Sequence, residues 1–93
     1  MIAYVFDGVG EPVKIFCDGV LVFNDRIPKA GVFGFSVELD LPRPNGRMQL
    51  VIERRGSRQT FSVNAKRVEN IYVLLGVDGR IRILDADKWP LMS

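Results

Sequence analysis

Phe33-Gly34-Phe35-Ser36-Val37-Glu38-Leu39-Asp40-Leu41 carries an apolar residue at every second position. A period of two sends one row of side chains into a core and the other into water, the mark of an extended strand. A helix would scatter the same residues around its circumference. Pro42-Arg43-Pro44-Asn45-Gly46 then stops the strand: proline fixes φ and removes a ladder donor, and Asn-Gly readily takes positive φ. Met48, Leu50 and Ile52 resume the alternation, with Val51 on the other face. Gly31 to Glu53 is therefore expected to form a β-hairpin.

Toward the N-terminus, Ile2 to Phe6 reads as a strand with Ile2, Tyr4 and Phe6 on one face. Val13 to Cys17 sets Val13, Ile15 and Cys17 against Lys14 and Phe16. Asp18-Gly19 signals a type I′ turn, which needs positive φ at both central positions, and Val20 to Phe23 is the return. Toward the C-terminus, Arg54 to Arg58 reads as a polar turn. Gln59 to Asn64 follows as a strand with Phe61 and Val63 inward, and Ala65 to Glu69 as either a connecting loop or one irregular turn. Asn70 to Val77 is almost continuously apolar, which suits a central strand covered on both faces. Asp78-Gly79 repeats the tight-turn signal before Arg80 to Leu84. No segment holds a helical period. One all-β domain is expected over residues 1–84, an antiparallel β-sandwich of about seven or eight short strands, with residues 85–93 as a tail.

Composition removes several function classes. The chain has no histidine, the commonest general base and metal ligand. One cysteine, Cys17, allows neither an intrachain disulfide nor a cysteine-based zinc site, and its inward position reads as core. Asp7, Glu11, Asp18 and Asp25 lie on turns without the regular acidic spacing of a calcium loop. Gly8 and Gly10 precede no helix, so no phosphate cradle is expected. No catalytic residue, metal or cofactor follows from these residues, and the chain reads as a non-enzyme. The apolar run at the N-terminus breaks at Asp7, too early for a signal peptide. No stretch reaches the length of a membrane span, so a cytoplasmic location is expected.

Two surface features suggest partners. Phe16, Leu21 and Phe23 fall opposite the inward row of Ile15, Val20 and Val22. A second apolar face calls for cover, by the tail with Trp89 or by another chain. Phe16, Leu21, Phe23 and Trp89 are thus the expected residues for a protein partner or self-association, with addition of a strand at the edge of the long Gly31 to Glu53 hairpin as a further route. Charge offers the alternative. Residues 1–46 hold 4 Lys/Arg against 6 Asp/Glu, and residues 47–93 hold 9 against 5. Arg54, Arg55, Arg58, Lys66, Arg67, Arg80 and Arg82 would form a nucleic-acid or polyanion site if the sheets gathered them on one surface.

Val13-Lys14-Ile15-Phe16-Cys17-Asp18-Gly19 followed by Val20-Leu21-Val22, and Gly31-Val32-Phe33-Gly34-Phe35 with Asn45 to Ile52 before Gly56, resemble the strands of transthyretin-like or PEGA-type β-sandwich modules. The likeness spans residues 13–64, and a transthyretin- or immunoglobulin-like outline is what it implies. The proline these modules carry near the end of the second strand stands here at Pro28. Such modules serve as structural or protein-binding accessories, so the resemblance implies a small, soluble interaction or assembly component.

Overall fold

The computed structural model describes residues 1–31, 34–42, 46–66 and 68–85. These form eight strands: β1 (Ile2–Phe6), β2 (Pro12–Cys17), β3 (Val20–Arg26), β4 (Val37–Asp40), β5 (Arg47–Arg54), β6 (Ser57–Asn64), β7 (Asn70–Leu75) and β8 (Ile81–Asp85). They build two four-stranded sheets, ordered β4-β1-β7-β8 and β3-β2-β5-β6. The all-β sandwich expected from the alternation is thus what the chain adopts.

The period of two sorts the side chains as strand geometry requires. Val13, Ile15 and Cys17 of β2 and Met48, Leu50 and Ile52 of β5 are buried from one sheet. Ala3, Val5, Ile71, Val73, Leu75 and Ile81 meet them from the other. Burying a side chain the size of Ile15 or Leu50 stabilises the fold by roughly 1.5–3 kcal/mol. β7 lies between β1 and β8, and Ile71, Tyr72 and Val73 are buried in succession. Its apolar run is that of a central strand with both faces covered.

Several pairings depart from expectation. The hairpin of Gly31 to Glu53 does not form. β4 pairs with β1, Ile2 opposite Asp40 and Val5 opposite Val37, whereas β5 pairs with β2 and β6. The two alternating runs sit in different sheets, because alternation says which side chains share a face and not which strand lies beside them. Five of the six strand pairings are antiparallel. The sixth, β1 with β7, is parallel, Ile2 opposite Asn70 and Phe6 opposite Leu74. The apolar row of the deciding stretch also divides. Val37, Leu39 and Leu41 face the core, but Phe35 stands outside with Tyr4 and Phe6, at 4.9 and 6.4 Å between ring centroids. Phe33 lies outside the described residues.

The turns explain the rest. Asp18 and Gly19 have φ of 49° and 83°, and Arg55 and Gly56 have 51° and 75°; both are two-residue hairpin turns with positive φ at each centre. The polar turn expected from Arg54 to Arg58 therefore shrinks to Arg55-Gly56. At Asp78-Gly79 only Gly79 has positive φ. That turn is wider, with Gly76 N–H donating to Arg80 O at 2.8 Å and Gly79 N–H to Gly76 O at 3.2 Å.

Candidate functional site

β5 continues its inward row, Met48, Leu50, Ile52, to Arg54. The arginine therefore enters the sandwich and is only 3% exposed. Its charge is met by Glu11, which the β1–β2 loop delivers opposite the end of β5. Arg54 Nε donates to Glu11 Oε2 at 2.8 Å, Nη2 to Oε1 at 3.1 Å, and Nη1 to the Arg80 carbonyl at 3.3 Å. Arg55 Nε also donates to Glu11 Oε1, and its Nη1 to the Val77 carbonyl at 2.7 Å. Burial acts to raise the Glu11 pKa, but the hydrogen bonds and charges of Arg54 and Arg55 outweigh it and hold the carboxyl below its ordinary value. One carboxylate thus ties the β1–β2, β5–β6 and β7–β8 turns together at one end of the sandwich.

This arrangement corrects the basic surface read from the sequence. Arg54 is buried and compensated. Arg58 lies beside Glu53 at 3.6 Å, and Arg80 beside Asp78 at 3.5 Å. Lys66 follows β6 at the opposite end of the sandwich, about 24 Å away along an eight-residue strand. Arg82 is exposed on β8, and Arg67 lies outside the described residues. Arg55 is half-exposed and pairs with Glu11, and Arg80 and Arg82 line one pocket at the β7–β8 turn. Among the described residues the cations thus cluster toward that end, most of them beside a carboxylate, with Lys66 apart from them. Among the same residues no group of three or more Asp, Glu or Cys converges as a metal site. Asp18 Oδ1 instead accepts the Gln49 N–H at 2.9 Å, and Asp25 Oδ1 accepts the Arg26 N–H at 2.7 Å.

The apolar face is also redrawn. Phe16 and Leu21 are cross-strand neighbours on the outside of the second sheet, and Val51 stands opposite Phe16 on the other side. Leu21 is 46% exposed. The Arg58 guanidinium sits 5.9 Å from the Phe16 ring centroid and roofs it. Phe23 does not belong to this face. A bulge between Ile15 and Phe16 shifts the β2–β3 register by one residue, so Phe23 opposes Ile15 and packs on the core. Val20, expected inward, is 61% exposed. Trp89 lies outside the described residues.

The sheet edges differ in how well they are guarded. β3 carries the bulge and ends in Asp25 and Arg26; β4 has four residues, two of them acidic; β8 has five, including Arg82 and Asp85. Short length, charge and bulges each deter a foreign strand. β6 has eight residues in unbroken register with β5, no proline, and one charged residue, Arg58. The tight Arg55-Gly56 turn makes Arg54–Ser57 a hydrogen-bonded pair, so Gln59, Phe61 and Val63 direct their backbone groups at β5. Gln49 confirms this phase: its C=O and N–H both go to Asp18, away from Ser62 opposite it. Arg58, Thr60, Ser62 and Asn64 therefore point N–H and C=O outward, where no strand among the described residues lies beyond them. Beside this edge, between β6 and β8, runs an open groove of about 500 Å³ whose lining is mainly apolar, with Phe61, Val68, Ile71 and Ile83, and also includes the charged Arg82 and Asp85. The edge expected from the sequence, the Gly31 to Glu53 hairpin, is not the one found: β5 lies inside its sheet between β2 and β6, β4 is a four-residue edge, and the long edge is β6.

Compared with protein-family models, with curated proteins and with solved structures, the chain finds no match.

Proposed function

We infer that this domain is a non-catalytic protein-interaction module that takes up a partner segment in extended form along β6. The observation that carries this is the pairing of a long unguarded strand edge with a mainly apolar groove next to it. An added antiparallel strand would satisfy the outward N–H and C=O groups of Arg58, Thr60, Ser62 and Asn64. Its alternate side chains would enter the groove against Phe61, Val68 and Ile83. Main-chain bonds then supply affinity and the groove supplies selectivity for apolar residues at every second position. The resemblance to transthyretin-like and PEGA modules leans the same way, toward an accessory or assembly role. The smaller Phe16–Leu21 patch supports it less, being narrow and partly roofed by Arg58.

A displayed library of random peptides, selected on the protein, tests this. Selected peptides are expected to alternate apolar residues and to shift the backbone amide NMR signals of Arg58, Thr60, Ser62 and Asn64. Thr60→Pro, which removes an outward donor and leaves the β5–β6 ladder intact, is expected to weaken them at least tenfold. Peptides that map elsewhere, or that bind Thr60→Pro equally well, would remove β6 as the docking element, and so would a library that yields none.

A further inference from the structure

We propose that the segment received by β6 is β6 of a second copy, the two strands running antiparallel about a two-fold axis through Phe61. This rests on the strand-edge reading above and names its occupant. Residues directly opposite in an antiparallel pair share a face. A two-fold pairing of β6 with itself must therefore centre on a residue, not between two. Centring on Phe61 sets Arg58 opposite Asn64 and Thr60 opposite Ser62, so every outward N–H and C=O from Arg58 to Asn64 meets a partner. Centring on Thr60 sets Asn64 opposite Gly56, which the turn holds at φ 75°, and centring on Ser62 carries Arg58 past the end of the strand. Both ladders are shorter.

The side chains agree with that register. Arg58, the one charge of β6, faces a neutral amide and not its own copy. Arg47, opposite Asn64 on β5, reaches the same outer face, where its Nη1 donates to Ser62 Oγ at 3.2 Å, while Glu53 stays beside Arg58 at 3.6 Å. Thr60 and Ser62 stand together on the outer face. On the inner face, Phe61 opposes Phe61 and Gln59 opposes Val63. Each Phe61, now only partly buried against the core, comes to the mouth of the other copy's groove near Ile83 and Val68. The two copies would share one eight-stranded sheet whose outer edges are both β3, the edge blunted by the bulge and by Asp25 and Arg26. Such a two-fold contact closes on itself and leaves no unguarded edge to propagate.

Sedimentation analysis of the full chain over a wide concentration range is expected to show a monomer–dimer equilibrium. Thr60→Pro is expected to give a monomer with an unchanged strand-type circular dichroism spectrum. A second variant, Phe61→Cys, reads the register and does not depend on the first one folding. A non-hydrogen-bonded pair brings opposed Cα atoms to about 4.5 Å, so mild oxidation is expected to join two chains through position 61 while buried Cys17 stays reduced. A dimer that persists in Thr60→Pro and fails to cross-link at 61 overturns the proposal. A monomeric wild type whose β6 still binds selected peptides overturns it too but leaves the interaction reading standing. A monomer that Trp89→Ser converts to a dimer would assign the edge to the chain's own tail, and likewise overturns it.

Discussion

Replacing Glu11 by Gln keeps the side chain's shape and removes its charge. Arg54 cannot follow by losing a proton, because a guanidinium stays ionised throughout the accessible pH range. In the native protein its side chain is 1% exposed and is held by two bonds to Glu11 and one to the Arg80 carbonyl. A glutamine offers one acceptor oxygen, and its NH₂ would face a guanidinium N–H. Removing one partner of a buried ion pair costs about 3–5 kcal/mol. The amide oxygen recovers part of that, which places Glu11→Gln at about 3 kcal/mol. For a domain of this length such a loss lowers the melting temperature by roughly 12–24 °C. The internal control is Glu53→Gln. Its partner Arg58 stands 3.6 Å away, and both side chains are well exposed, 66% and 35%, so the cost there is at most about 1 kcal/mol. Urea unfolding of the two variants beside wild type is the assay. Equal losses would refute the view that Glu11 compensates the charge buried at Arg54. The double variant Glu11→Leu with Arg54→Met, which removes both charges, is expected to recover most of the stability. Acid adds a second readout. The folded-state pKa of Glu11 lies below its ordinary 4.5. Its contribution is thus fully present above that value and is lost as pH falls through the folded pKa. Wild type should lose stability more steeply below about pH 4.5 than Glu11→Gln does.

Phe23→Ser is expected to cost about 3 kcal/mol, because the bulge turns Phe23 to the core, whereas Leu21→Ser should stay within about 0.5 kcal/mol; chemical denaturation separates them, and equal effects would place Phe23 outside. Cys17 is fully buried, and burial raises its thiol pKa. A thiol reagent should label it only as the domain unfolds, at a rate that rises with denaturant; rapid labelling in native buffer would contradict its position. Gly8 has φ of 72°, and a Cβ there would meet Leu75 Cδ1 at 2.9 Å. Gly8→Ala is expected to cost about 2 kcal/mol, read as a lowered urea midpoint.

How far the surface was legible depended on whether phase or register decided the position. Arg54 could have been placed from the sequence, since it continues the row Met48, Leu50, Ile52 at the next even step; grouping it with Arg55 and Arg58 by charge hid that phase. Phe23 could not. Counting back across the Asp18-Gly19 turn sets it opposite Lys14, outside, and only the bulge moves it to Ile15. The β6 edge was equally hidden. Gln59 to Asn64 reads as a strand like its neighbours, and its exposure follows from which strands stand beside it.

By itself the sequence determined that the chain is all-β, where most strands begin and end, and which residues share a face, because alternation and turn chemistry act between residues close along the chain. The tertiary structure alone decided that β4 joins β1 and not β5, that β1 runs parallel to β7, that Glu11 meets Arg54, and that among the described residues no strand pairs with the outer side of β6. Each of those is a contact between distant segments, and side-chain periodicity carries no record of the neighbour across the ladder.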